Sequence, residues 1–220
     1  MSPLLSNLLL DELDRELEAR GLRFVRYADD CNIYVQSERA GKRVLQSVTR
    51  WLDQKLRLKV NQSKSAVDRP RKRKFLGFSF TTRRQRSIAP SSVAKFKQRI
   101  RQLTKRNRGT SFERVIRELR SYLLGWRGYF GFCQTPSVLR GFDSWIQRRL
   151  RCYAWKQWKT GRRRFAQLRR LGVTKEVAAK TAGSRKGYWH LSRSPALNWG
   201  LNGALFDSLG LPRLAPVTKV

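Results

Sequence analysis

Leu22-Arg23-Phe24-Val25-Arg26-Tyr27-Ala28-Asp29-Asp30-Cys31-Asn32-Ile33-Tyr34-Val35 reads as two short strands meeting at Tyr27-Ala28-Asp29-Asp30. Both flanks are rich in β-branched and aromatic residues that alternate in polarity, the signature of a half-exposed strand pair. Two adjacent aspartates at the turn repel each other at neutral pH, and a turn needs at most one. Asp tolerates tight backbone geometry, so ordinary turn chemistry is one reading. The other is a divalent cation held against both carboxylates. Mg²⁺ takes oxygen ligands and keeps positions open for phosphates, and paired ions clamp the attacking and leaving oxygens of a phosphoryl transfer.

The rest of the chain bears on that choice. Its 220 residues carry a net charge of +34, with 40% apolar residues. That apolar content supports folded cores, while the charge calls for a polyanion. Nucleic acid is the expected partner. An anionic membrane is the rival, but the apolar cluster Leu4-Leu5 and Leu8-Leu9-Leu10 is too short to cross a bilayer. Cys31, Cys133 and Cys152 lack CxxC spacing, which argues against a disulfide framework or zinc knuckle and for a reducing compartment. His190 is the sole histidine, so histidine catalysis is disfavoured; it reads as structural or RNA-contacting. Up to Asp68 there are 12 Lys+Arg and 10 Asp+Glu; from Arg69 onward there are 37 and 5. The first third keeps its carboxylates, and the remainder is built for phosphate.

Working outward, Leu5, Leu8, Leu9, Leu13 and Leu17 recur at helical spacing after Ser2-Pro3, with Asp11, Glu12, Asp14, Arg15, Glu16 and Glu18 toward water and Gly21 as the stop. Ser37 to Leu56 predicts a second amphipathic helix. Leu58-Lys59-Val60 reads as a short strand, Asn61-Gln62-Ser63 as a turn into Lys64, and Phe75-Leu76-Gly77-Phe78-Ser79-Phe80 as a strand with a glycine. From Pro90 three amphipathic helices are expected: one on Val93, Phe96, Ile100 and Leu103; one opened by a Thr110-x-x-Glu113 capping box; one introduced by Pro136. Beyond Lys159 come the basic clusters Arg162-Arg163-Arg164 and Arg169-Arg170. A short helix follows from Thr174, then the basic loop Gly183–Gly187 and a final helix from Ser194-Pro195 through Leu197, Leu201 and Leu205. The fold class is α+β followed by an all-α bundle.

The order of these pieces resembles the C-terminal half of group II intron reverse transcriptase/maturases. Ser2-Pro3-Leu4-Leu5-Ser6-Asn7 with Leu10-Asp11-Glu12-Leu13-Asp14 is similar to the family's palm helix, and Phe24 to Asp30 to its metal-binding hairpin. Leu58-x-Val60-Asn61-x-x-Lys64-Ser65 and Phe75-Leu76-Gly77-Phe78 resemble the next two palm motifs. Gly125-Trp126-x-x-Tyr129-Phe130, Trp145-Ile146-x-x-Arg149-Leu150 and Trp155-Lys156-x-Trp158-Lys159 resemble the maturase (X, or thumb) domain; Ser184–Gly187 and Gly210-Leu211-Pro212 resemble the tail of shorter bacterial members.

The resemblance implies a partial palm over 1–86, a maturase X/thumb bundle over 87–160 and a basic DNA-binding region over 161–220. It implies a bacterial, cytoplasmic, nucleoid-associated protein of a mobile element: an RNA-directed DNA polymerase and splicing maturase with two Mg²⁺ ions in the intact enzyme. Its partners would be group II intron RNA and target DNA or a template–primer duplex. Asp29 and Asp30 become the catalytic metal ligands. Lys64 matches a position that meets the pyrophosphate leaving group, or is a solvated lysine. Phe75, Leu76, Gly77 and Phe78 position the primer end, or form a buried edge strand. Arg71, Lys72, Arg73 and Lys74 contact phosphates. Lys95, Lys97, Arg99, Arg101 and Lys105 line a groove for duplex or structured RNA, or form a solvated helix face. Arg162, Arg163, Arg164, Arg185 and Lys186 are candidates for nucleic-acid backbone contact. Trp126, Tyr129, Phe130, Trp145, Trp155 and Trp158 invite base stacking, although helical spacing makes them mainly core.

Family members carry fingers and an earlier palm strand, with a further metal-binding Asp, ahead of the point matched by Ser2-Pro3. Nucleotidyl transfer by this chain is therefore expected only with those segments supplied, for instance by a separate N-terminal half. A fragment, a truncated reading frame and one piece of a split enzyme all give such a chain. No CxxC pairs follow the last helix, so a zinc-supported endonuclease is not expected. The alternative function is a non-catalytic RNA-binding splicing maturase remnant.

Overall fold

The computed structural model describes residues 3–216; Ser2, expected to open the first helix, lies outside them. The chain divides into two compact units, Met1–Ser79 and Phe80–Val220.

In the first unit, α1 (Pro3–Ala19) is followed by the antiparallel strands β1 (Arg23–Tyr27) and β2 (Asp30–Tyr34), then α2 (Glu38–Lys55). Gly21, at φ +65°, ends α1, and the Leu22 amide donates back to the Leu17 carbonyl at 3.0 Å, the C-terminal cap that a left-handed glycine permits. Ser37 caps α2 by accepting from the Ala40 amide. Leu13, Leu17, Val48 and Leu52 form the core, with Phe24, Ile33, Trp51, Leu58 and Val60 packed against it. A lone hairpin is marginal in water; here its inner face rests on that core.

The leucine stripe of α1 does not act as one face. Leu13 and Leu17 are buried, but Leu5 and Leu8 are 58% and 64% exposed, because this unit's elements cover only the C-terminal half of the helix. Asp11, Glu12, Arg15 and Glu18 are exposed as expected, while Asp14 and Glu16 are half-buried in ion pairs.

Two expected strands differ. Leu58 to Val60 has no strand pairing: Arg57 turns the chain at φ +54° and the Leu58 amide donates to the Leu52 carbonyl, so the apolar side chains fill the core without a ladder. Phe75 to Phe80 is not one continuous strand. Phe75 and Phe78 exchange both backbone hydrogen bonds at 2.9 Å around Leu76 and Gly77, at φ +49° and +77°. Two left-handed residues make the tight turn whose twist suits a hairpin. Strand β3 is only Phe78–Phe80, pairing with β4 (Arg86–Ile88), which the sequence reading omitted. The described residues thus hold two separate two-stranded sheets among mostly helical elements, compatible with α+β.

The second unit is built on α3 (Pro90–Leu103), α4 (Phe112–Phe130) and α5 (Pro136–Gln157). Phe96 lies 4.4 Å from Trp126 and 4.9 Å from Phe142 between ring centroids, joining the three helices. Ile100, Leu119, Leu123, Ile146 and Leu150 are fully buried around them. The cap of α4 is Ser111, accepting from the Arg114 amide, not Thr110. The Thr110 carbonyl instead accepts from Tyr153 Oη at 2.5 Å and Gln157 Nε2 at 2.6 Å, which fixes the loop before α4 onto α5.

Five short helices follow: α6 (Gly161–Arg170), α7 (Lys175–Ala182), α8 (Tyr188–Leu191), α9 (Pro195–Gly200) and α10 (Gly203–Ser208). The single helix expected from Ser194 is two, because Asn202 interrupts it and caps α10 through the Leu205 amide. The expected basic clusters Arg162–Arg164 and Arg169-Arg170 belong to helix α6, with buried Leu168 the anchor of its apolar side. Polar groups of α5 hold this region. Arg151 Nε donates to the Leu201 carbonyl at 2.9 Å, and the Asp143 carboxylate accepts from the Leu214 and Ala215 amides. Burial pushes the Asp143 pKa up, against the pull of those two amides. Among the described residues no helix is long and apolar enough to cross a membrane.

Candidate metal seat and nucleic-acid interface

The hairpin tip is a two-residue turn, Ala28-Asp29, closed by the Tyr27–Asp30 pair. Ala28 adopts φ +52°, a left-handed conformation that costs a non-glycine residue on the order of 1 kcal/mol. Arg26 braces it. Its guanidinium donates to both Asp14 carboxylate oxygens at 2.8 and 2.6 Å, and to Asn7 Oδ1 and the Ala28 carbonyl, each at 3.0 Å. A bidentate arginine–carboxylate pair is both strong and directional; it raises the Arg26 pKa further through the Asp14 hydrogen bond. One side chain therefore ties α1 to the turn that carries the aspartates.

Asp29 and Asp30 are both exposed, and neither enters an ion pair among the described residues. Tyr27 beside them is 64% exposed. Next along β2, burial first and the Asp14 charge second push the Cys31 thiol up to about 11, so it is neutral near pH 7 and no thiolate competes for a metal. Two hard carboxylates beside open solvent suit part of a Mg²⁺ shell, which retains water and phosphate oxygens. No set of three His, Cys, Asp or Glu side chains gathers for a metal among the described residues.

Lys64 is exposed at the end of the Asn61 turn. Its amide donates to the Asn61 carbonyl and Oδ1, and its carbonyl accepts from Arg73 Nη2 at 2.6 Å. Lys64 and Arg73 are thus brought together. Arg71, Lys72 and Lys74 are exposed, with Lys72 Nζ 3.7 Å from Asp68. Phe75, Leu76, Gly77 and Phe78 are half-buried in the tight turn described above.

In the second unit Lys95, Arg99, Arg101 and Lys105 are exposed on and just after α3, and Lys97 is half-buried. Arg162 and Arg163 are exposed on α6, whereas Arg164 lies over the Trp155 ring at 4.8 Å and near Tyr188 at 5.6 Å. Arg185 and Lys186 are exposed on the loop before α8. Trp126 and Trp155 are core residues; Trp145, Trp158 and Phe130 are half-buried, and Tyr129 is 48% exposed.

The end of α3, the middle of α5 and α8 also form a cleft of about 340 Å³ that no single local sequence pattern marks. Arg101, Arg106 and Arg149 line it beside Trp145 and Trp189, and no carboxylate does. Arg101 and Arg149 stand 5.8 and 5.4 Å from the Trp145 ring centroid, and Arg148 lies 3.8 Å over Trp189. Tyr188, just outside, faces Arg106 and Lys156, each at 5.2 Å. A readable signal existed in the Trp145-x-x-Arg148-Arg149 spacing on one helix face and in Tyr188-Trp189 following Arg185-Lys186.

Residues 1–80 match the reverse transcriptase (RNA-dependent DNA polymerase) family, nearly coinciding with the first compact unit. Residues 93–172 match the group II intron, maturase-specific domain, beginning in α3 and ending just past α6. A search of curated proteins finds no match. With a reverse-transcriptase segment followed by a maturase-specific domain, the chain belongs to the group II intron reverse transcriptase/maturases.

Proposed function

We propose that this chain is the C-terminal part of a group II intron RNA-directed DNA polymerase/maturase whose second unit grips intron RNA and target DNA. The assignment takes 1–86 as a partial palm, 87–160 as the X/thumb bundle and 161–220 as the DNA-binding region. One observation carries the binding role. From Arg69 onward 37 basic residues face 5 acidic ones; Arg101, Arg106, Arg148, Arg149 and Arg164 lie against aromatic rings and, among the described residues, not against carboxylates, leaving a cation-rich surface for phosphate.

Asp29 and Asp30 would hold Mg²⁺ at the braced hairpin tip, a further ligand coming from outside the described residues. The ion, when bound, supplies positive charge to the attacking and leaving oxygens of nucleotidyl transfer. The chain's own part is to fix the tip: Arg26 orients the turn through Asp14 and Ala28. Lys64, held beside Arg73, would offer charge to the departing pyrophosphate.

The test is primer extension on an RNA template by the chain mixed with an N-terminal fingers-and-palm half. Activity is expected with Mg²⁺ and is abolished by Asp29→Ala or Asp30→Ala. Retained extension in both variants overturns the metal assignment. Salt-sensitive RNA binding without extension in any mixture would favour a purely binding maturase.

A further inference from the structure

We propose that the cleft between α3, α5 and α8 seats one unpaired nucleotide, its phosphate against Arg101, Arg106 and Arg149 and its base against Trp145 and Trp189. The inference rests on reading the second unit as a polynucleotide binder, and adds which state of the nucleic acid it selects and where.

Charge is the first argument. Three guanidiniums converge on a concave wall without a lining carboxylate, and none of the three enters an ion pair among the described residues. Arg149 is held in place rather than neutralised. Its Nε donates to Thr104 Oγ1 at 2.5 Å, and that hydroxyl donates in turn to the Ile100 carbonyl at 2.6 Å. Burial, with Arg101 and Arg106 nearby, pulls the Arg149 pKa down. A half-buried cation beside like charges is costly unless an anion arrives. The cleft is therefore arranged for a ligand that brings negative charge.

Shape and the aromatic wall are the second argument. About 340 Å³ is at the small end of ligand pockets and excludes a double helix. Trp189 is 41% exposed. Arg148 fixes it twice, through its Nη2 bond to the Trp189 carbonyl at 3.0 Å and by lying 3.8 Å over the ring. Ser192 Oγ supports the same pair, accepting from Arg148 Nε and donating to the Trp189 carbonyl. An exposed indole clamped on one side by a cation offers a π-surface for stacking. A base held in a duplex has no free face to give it; an unpaired one has.

The experiment measures anisotropy of a labelled 12-nucleotide single-stranded RNA, the same sequence in DNA, and the fully paired RNA duplex, against the full chain at fixed salt. Trp189→Ala and Arg106→Gln are compared with Arg162→Gln/Arg163→Gln on α6, and melting curves check that each variant folds. Trp189→Ala is expected to weaken single-strand binding about tenfold and duplex binding less than twofold. Arg106→Gln is expected to follow the same selectivity, while the α6 pair weakens all three ligands alike. Loss with RNA alone names RNA as the source of the nucleotide; equal loss with DNA makes the site indifferent to the sugar. Equal loss on single strand and duplex, or no loss on single strand in folded variants, overturns the cleft proposal and leaves the wider binding reading standing. Absence of salt-sensitive binding by the unmodified chain overturns both.

Discussion

The two units use arginine differently. In Met1–Ser79 three arginines on or beside α1 meet carboxylates: Arg15 with Asp11, Arg20 with Glu16, Arg26 with Asp14. In Phe80–Val220, Arg108 and Arg114 share Glu118 and Arg213 takes Asp207, but Arg101, Arg106, Arg148, Arg149 and Arg164 meet indole or phenol rings instead. A matched cation is satisfied and positions something else; an arginine on a ring keeps its charge available. The first arrangement builds a fixed turn, and the second builds a surface waiting for anions. Sequence charge totals reflect this, but only contacts show that the excess cations are oriented.

The comparison breaks most visibly with salt. If the second unit's charge is free for phosphate, raising salt from 50 to 200 mM should weaken RNA binding by about 10³-fold, read by anisotropy on the full chain. A loss under tenfold would mean the cations are neutralised within the protein. Next in size is Phe96→Ala. Phe96, on α3, is 1% exposed and packs against α4 and α5, so its loss should cost about 3–5 kcal/mol. Denaturation followed by exchange should show this in Phe80–Val220 while α1 to α2 keeps its protection; equal loss in both would deny their independence.

A smaller effect belongs to the brace. Arg26→Ala removes four hydrogen bonds at a partly exposed site and leaves Asp14 unpaired. A cost of about 2 kcal/mol is expected, confined to the first unit, with RNA affinity unchanged. Ala28→Gly should go the other way, stabilising the hairpin by up to about 1 kcal/mol because glycine accepts φ > 0 freely. A destabilised hairpin would show that the turn is not strained. The last effect follows pH. The Cys31 thiol is raised from its ordinary 9.0 to about 11 in the folded chain. Its contribution to stability is full below pH 9 and is lost as pH rises toward 11, where the unfolded thiol ionises first. Alkylation of Cys31 should accordingly stay slow at pH 8 and accelerate only near the upper value.

How far the sequence could be read differs between the same two regions. Hairpin and amphipathic helices were legible because period 2 and period 3.6 are local signals: β1, β2, α2, α3 and α5 sit where alternation and Pro or Ser caps put them. Leu58–Val60 was misread because β-branched composition cannot say whether a partner strand exists; its side chains went to the core instead. Phe75–Phe80 was misread because a non-glycine residue, Leu76, takes a left-handed conformation beside Gly77. Thr110 and Ser111 compete for one cap, and Tyr153, 43 residues away, decides by claiming the Thr110 carbonyl. The adjacent aspartates stood out in sequence. The cleft did not, since Arg101, Arg149 and Trp189 are brought together only by packing of α3, α5 and α8.

Hydrogen exchange of the full chain with and without single-stranded RNA is the most direct measurement of this division of labour. Protection should appear at the end of α3, in the middle of α5, in α6 and in α8, with β1 and β2 unchanged. Protection confined to residues 23–34, with the bundle unaffected, would contradict it.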